Sequence, residues 1–243
     1  STFKDSTSYF RVERYSRGKF ETITRYSGNL IGIAVDDSGS LGLISSSGEL
    51  FFVPSGSVHA GLELSSFEVH TGALPEELDL TRAKVSVFDS GNSLALTILL
   101  TEGVQVWVFA VDSGEWTKLG RSTYISPPQG QGPSIPGGRM DWIIAPTLYV
   151  PEQTTLYAIF TISVGFYRGK GYYYASETHV LGFNYTAVDG DWVDLDFYST
   201  LRSQLQNESV FSADGLSLIA ENSNLYVRHP DGGDNLFIWR CPS

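Results

Sequence analysis

The sequence predicts an all-β chain arranged as a small β-propeller. Three observations carry this: helical periodicity is nearly absent, short apolar runs recur throughout, and one strand–turn–strand unit repeats. The runs, about five to nine residues of Val, Ile, Leu, Thr, Phe and Tyr, are bounded by Gly, Ser, Asp and Asn. They include Leu30–Val35, Lys84–Phe88, Leu94–Leu100, Val104–Ala110, Leu156–Ser163 and His179–Tyr185. Helical candidates are confined to two short stretches, Pro75–Leu80 and Thr200–Gln206.

The repeat reads as an apolar strand, a turn of small or acidic residues, and a new strand starting near a leucine. Val35-Asp36-Asp37-Ser38-Gly39-Ser40-Leu41 recurs as Val87 to Leu94 and as Val210 to Leu218, with a weaker copy from Tyr149 to Leu156. In such a turn Asp or Ser accepts backbone hydrogen bonds and Gly supplies a positive φ. The anchoring leucines Leu41, Leu94, Leu156 and Leu218 are 53, 62 and 62 residues apart, and 66 residues close the circuit from Leu218 round to Leu41. A second marker follows the same order: Val111-Asp112-Ser113-Gly114-Glu115-Trp116 is echoed by Val188-Asp189-Gly190-Asp191-Trp192. The wider spacing of that pair is assigned to an insertion around Gly165–Ser176.

Near-even units of this kind are how a propeller protects its sheet edges. Residues 84–124 read as one complete blade: Lys84–Phe88, Leu94–Leu100, Val104–Ala110 and Trp116–Tyr124. The two strand-like runs in Tyr9–Tyr26 are expected to complete the blade begun near Val210, so that the N- and C-terminal strands close one blade. The repeat then counts four blades, or five if Tyr9–Tyr26 forms its own. A β-sandwich also uses many short strands but requires no period near 60 residues. The 243 residues are read as a single propeller domain, interrupted by the Pro/Gly-rich segment 126–138 with its four prolines and four glycines. That segment cannot be a central strand; it is either a plain surface loop or a rim that carries Arg139, Asp141 and Trp142 over a face of the ring.

Composition narrows the function classes. The chain is 42% hydrophobic and 18% charged, enough to bury a sizeable core. Its 16 Lys and Arg against 27 Asp and Glu give a net charge of −11. That balance disfavours nucleic acid and anionic membranes as partners. The single cysteine, Cys241, rules out an intramolecular disulfide and a cysteine-cluster metal site. No cofactor is expected. The sequons at Asn184 and Asn207 suit a secreted protein, while the lone cysteine suits the cytosol as well.

No nucleophile motif, phosphate loop or zinc-binding motif is present. The histidines are His59, His70, His179 and His229, and His179 reads as a hydrogen-bonded strand residue before it reads as a base. The carboxylate pairs Asp36-Asp37, Glu76-Glu77 and Asp194/Asp196 carry no assignment. The aromatic content is more informative: 13 Tyr, 14 Phe and 5 Trp. The run Phe166-Tyr167-Arg168-Gly169-Lys170-Gly171-Tyr172-Tyr173-Tyr174 would place aromatics on both faces of a strand. It therefore reads as a loop or protruding hairpin, either packing its own rings or presenting them to a ligand. Exposed Tyr and Trp beside Arg and Glu suit a neutral polyhydroxyl ligand.

The segment Ser93–Gly120, SLALTILLTEGVQVWVFAVDSGEWTKLG, resembles one blade of the fungal fucose-binding lectin propellers, and Val150–Trp192 resembles it loosely. Gln105 and Trp107 fall at the polar and aromatic positions of such a blade, but no Arg precedes them and the family's sugar contacts do not recur in each unit. The resemblance implies a propeller fold and sugar recognition. The leading expectation is non-catalytic binding of a glycan or other small polar ligand by Arg139, Asp141, Trp142, Arg168, Tyr172 and Glu177. One alternative is a metal-free cyclase or isomerase that folds a small apolar metabolite, with His179, Arg168 and Tyr173 as candidates. The other is a protein-interaction platform from a longer chain.

Overall fold

In the computed structural model three of the repeated turns lie between antiparallel strand partners. The structure describes residues 10–100, 103–123, 140–144, 147–150, 154–168, 170–186, 190–195, 217–221, 224–228 and 236–240. Strands β1 (Phe10–Ser16) and β2 (Lys19–Tyr26) form a two-stranded ribbon. Strands β3 (Leu30–Val35), β4 (Leu41–Ser45) and β5 (Leu50–Val53) form a meander. The next sheet runs in sequence order through β6 (Lys84–Phe88), β7 (Ser93–Leu100), β8 (Gly103–Ala110) and β9 (Glu115–Thr123). A five-stranded sheet contains β10 (Met140–Ile144), β11 (Leu148–Val150), β12 (Thr155–Arg168), β13 (Gly171–Asn184) and β14 (Val193–Asp194), with β10 and β11 both paired to β12. The last sheet is β15 (Ser217–Glu221), β16 (Asn224–Arg228) and β17 (Leu236–Arg240). The protein is all-β, and its β6–β9 meander is the four-stranded unit from which propeller blades are built.

The repeat is a structural one. Leu41, Leu94, Leu156 and Leu218 each fall at the first or second residue of a strand, each in a different sheet. Val35 pairs with Leu41, Val87 with Leu94 and Tyr149 with Leu156, so the anchoring leucine faces a residue at or next to the end of the preceding strand. The first turn is held as expected. Asp36 Oδ1 accepts from the Ser40 amide at 2.9 Å and the Ser38 hydroxyl at 2.6 Å, and the Gly39 amide donates to the Asp36 carbonyl.

The chain divides into two compact units, one of Ser1–Ile98 with Val106–Lys118, the other of Leu99–Gln105 with Leu119–Ser243. Within the first unit, every residue of β4 and β5 is buried, as a sheet covered on both faces requires. Gly42 permits the close approach of β4 to β6 and β7: a Cβ there would stand 2.7 Å from Val87 and 3.1 Å from Val85. Leu41 and Leu43 of β4 and Phe51 and Val53 of β5 form one core with Ile23, Leu62 and Leu64. Each such side chain contributes roughly 1.5–3 kcal/mol of transfer free energy.

One expectation is corrected. Pro75–Leu80 is not a helix: Leu78 N–H closes a turn on Pro75, and a short 3-10 turn follows at Leu80–Arg82. The stretch is too short to repay helix nucleation. Strands β1 and β2 pair with each other, and β15–β17 form a three-stranded sheet. Ile23 of β2 is buried in the first-unit core. Its neighbour strand position is taken by Leu62, which donates to the Ile23 carbonyl and accepts from Thr24 Oγ1 at 2.7 Å. Thr200–Gln206 lies outside the described residues.

Candidate functional site

The aromatic insertion forms the end of a long hairpin. Strands β12 and β13 pair without a register shift from Thr155–Asn184 to Arg168–Gly171. Trp142, Ile162 and Glu177 occupy one rung across β10, β12 and β13. Strand alternation places Trp142, Arg168, Tyr173, Glu177 and His179 on one face of this sheet, and Asp141 and Tyr172 on the other. The expected binding set is thus divided between two faces, with Trp142 and Glu177 the pair brought into line. Arg168 lies on the terminal rung. Tyr173 and His179 are six positions apart on one strand, roughly 20 Å, and do not converge. Arg139 and the segment 126–138 lie outside the described residues.

His179 is a hydrogen-bonded strand histidine. Its Nδ1 meets Asp194 Oδ2 at 3.1 Å, and its ring stacks on Phe160 with centroids 5.5 Å apart. The carboxylate and the phenyl ring fix the imidazole from two sides.

A second arrangement, absent from the sequence reading, is an open cleft of about 800 Å³ in the first unit. Four segments build it: Thr22–Ser27 at the end of β2 and just after it, Glu49 and Phe51 at β5, Gly61–Ser65, and Glu68. The β4–β5 turn, Ser45-Ser46-Ser47-Gly48-Glu49, supplies the polar wall. There Glu49 Oε2 accepts from the Tyr26 hydroxyl, from Ser47 Oγ at 2.5 Å and from Ser45 Oγ at 3.2 Å. Ser45 Oγ in turn accepts from the Glu49 amide at 3.0 Å, which holds the carboxylate in place. Tyr26 also meets Phe51 edge-on, with ring centroids 5.5 Å apart.

The electrostatics follow from these bonds. The Ser47 and Tyr26 hydroxyls keep the Glu49 carboxyl below its ordinary value, so it stays ionised. Burial, then the bond to Glu49, pushes the Tyr26 phenol above its ordinary value, so it keeps its proton. All three donors converge on Oε2; Oε1 accepts no hydrogen bond among the described residues. The cleft therefore presents a fixed, charged acceptor beside an aromatic pair, with Glu63, Glu68 and Arg25 also on its lining. A ligand hydroxyl or ammonium is the chemistry that such an acceptor takes. The local signal was the Ser-Ser-Ser-Gly-Glu turn, but nothing in sequence joins it to Tyr26, 23 residues earlier.

No family model matches the chain, and no curated protein matches it. Among solved structures it is similar to TolB from Acinetobacter baumannii, at 16% identity and a TM-score of 0.39, covering 89% of this chain and 45% of that one. It is also similar to a chain of a nidogen/laminin complex, at 12% identity and a TM-score of 0.40, covering 89% and 80%. The chain thus spans less than half the length of the TolB chain. Neither structure is named as a lectin, and the fold described above rests on the chain's own sheets.

Proposed function

We propose that the protein is a propeller-type binding module that holds a small polyhydroxyl ligand without turning it over. The ring is inferred from the repeat: an anchoring leucine near the start of a strand in each of four sheets, facing the end of the preceding strand in three of them, and a near-even period. The observation that carries the binding reading is Glu49, an ionised carboxylate on the cleft lining whose Oε2 is held by three hydroxyls. Aromatic rings offer a face to the apolar side of a sugar, and an ionised carboxylate accepts from its hydroxyls more strongly than a neutral group would. The cleft volume falls in the usual range for small-ligand sites, about 300–1,000 Å³. The resemblance of Ser93–Gly120 to fucose-binding lectins points the same way. The second location for such a ligand is the rung of Trp142 and Glu177.

A glycan array tests the reading. Saturable binding to one sugar class, lost in Glu49→Gln and kept in Trp142→Ala, assigns the ligand to the cleft. The reverse pattern assigns it to the β10–β13 sheet, and a blank array overturns the glycan reading.

A further inference from the structure

The β1–β2 ribbon reverses the charge of the chain that carries it. Arg11, Arg14, Arg17, Lys19 and Arg25 stand against only Glu13 and Glu21, in a protein of net charge −11. Both carboxylates are used locally, Glu13 by Arg11 at 3.1 Å and Glu21 by Arg14. Arg17 and Lys19, at the tip, form no ion pair among the described residues.

The same tip carries the two most exposed aromatics of the described chain. Tyr15 and Phe20 are directly paired across the ribbon, 64% and 71% exposed, with ring centroids 4.9 Å apart. Their contact with each other leaves most of both rings in water. The turn between them is tight and fixed: Arg17 has φ 52° and Gly18 φ 78°, the positive pair of a two-residue hairpin turn. Arginine is an unfavourable choice at that first position, where Asn or Gly adopts the conformation at lower cost.

We propose that this tip is a docking element for an anionic phospholipid surface. Every residue from Glu13 to Glu21 is exposed, so four rungs project beyond the last buried positions, roughly 14 Å of ribbon. That exceeds the screening length of about 8 Å at physiological salt, so the tip presents its own positive charge and not the whole-chain negative charge. Aromatic rings with polar or cationic neighbours are the side chains that settle at the headgroup layer. A convex tip with two rings on one rung enters a deformable layer without shape matching, whereas a protein partner would have to supply a fitted pocket. The whole-chain expectation against anionic membranes is thereby replaced locally.

The test is co-sedimentation of the full chain with vesicles of phosphatidylcholine alone and with about one third phosphatidylserine, at physiological salt. Binding to the anionic vesicles only is expected. Arg17→Ala with Lys19→Ala should weaken it about 30-fold, near fivefold per cation. Tyr15→Ser with Phe20→Ser should abolish it, and since both residues are exposed the fold is retained, which circular dichroism checks. Failure of the parent chain to bind anionic vesicles overturns the proposal. So does unchanged binding by the Tyr15/Phe20 variant. Retention on immobilised poly-glutamate that needs the cations and ignores the rings would assign the tip to an acidic polypeptide and overturn it equally.

Discussion

Trp192 donates its indole N–H to the carbonyl of Leu119 at 2.9 Å, across 73 residues of sequence. Trp116 does the same to His70 at 3.1 Å. Each tryptophan lies just before or at the start of an outer strand, β14 or β9, and reaches the outer segment that precedes it. Leu119 is on β9, and His70 follows a segment that lines β5 through the Phe51–Glu68 bridge. Each also packs on a phenylalanine, Phe183 at 5.1 Å and Phe109 at 5.2 Å. A hydrogen bond and a ring contact thus recur together in successive units, which turns the sequence echo of the two Asp/Gly–Trp turns into a repeated tie.

Replacing either tryptophan by phenylalanine should keep most of the apolar contact and lose the hydrogen bond. Trp116→Phe and Trp192→Phe are each expected to destabilise by about 1 kcal/mol, the net worth of such a bond. Urea denaturation with an unchanged m value checks this.

Gly120 sits under Trp192 with φ 62°, and a Cβ there would come within 3.0 Å of the indole and 3.1 Å of Phe183. Gly120→Ala therefore combines backbone strain with overpacking. A loss of about 1–3 kcal/mol is expected, read as a lower unfolding midpoint.

Glu49 makes acid stability depend on the cleft. Its folded-state carboxyl titrates below the ordinary 4.5, so its contribution is present above that value and lost as pH falls through the lower folded value. Glu49→Gln should flatten this part of the stability–pH curve while leaving neutral-pH folding intact. Tyr26 behaves oppositely, since its phenol titrates above the ordinary 10.0. Its contribution is full below that value and disappears as pH rises through the raised one. Tyr26→Phe should remove that alkaline change, measured by unfolding between neutral and strongly alkaline pH.

Arg17→Asn should raise stability by about 1 kcal/mol, because Asn tolerates the left-handed conformation that Arg17 adopts at φ 52°. Thermal denaturation is the measurement.

Much of the architecture was readable from local chemistry. The blade at 84–124 appears as β6–β9 within a residue or two of each expected strand, because apolar runs and Gly/Asp turns act over a few residues. The repeat was readable for the same reason: Asp36 and Gly39 make their turn with neighbours four residues away or nearer. The run Phe166–Tyr174, which the sequence allows as a loop or a protruding hairpin, is the end of the β12–β13 hairpin.

The ribbon and the cleft were not readable. Tyr9–Tyr26 declares two strands, but the burial of Ile23 on the second depends on Leu41, Phe51 and Leu62, which come from later in the chain. The candidate residues on β10–β13 were chosen by type, and register then divided Asp141 and Tyr172 from Trp142 and Glu177.

By itself, the sequence determined the strands, the turns and the period of this protein, because each depends on backbone preferences and alternation within a short window. The tertiary structure alone decided which edges pair, which face each residue takes and which carboxylate meets which hydroxyl. Glu49 becomes a fixed acceptor only when Tyr26 is brought to it from another sheet, and a contact between distant segments leaves no pattern in either one.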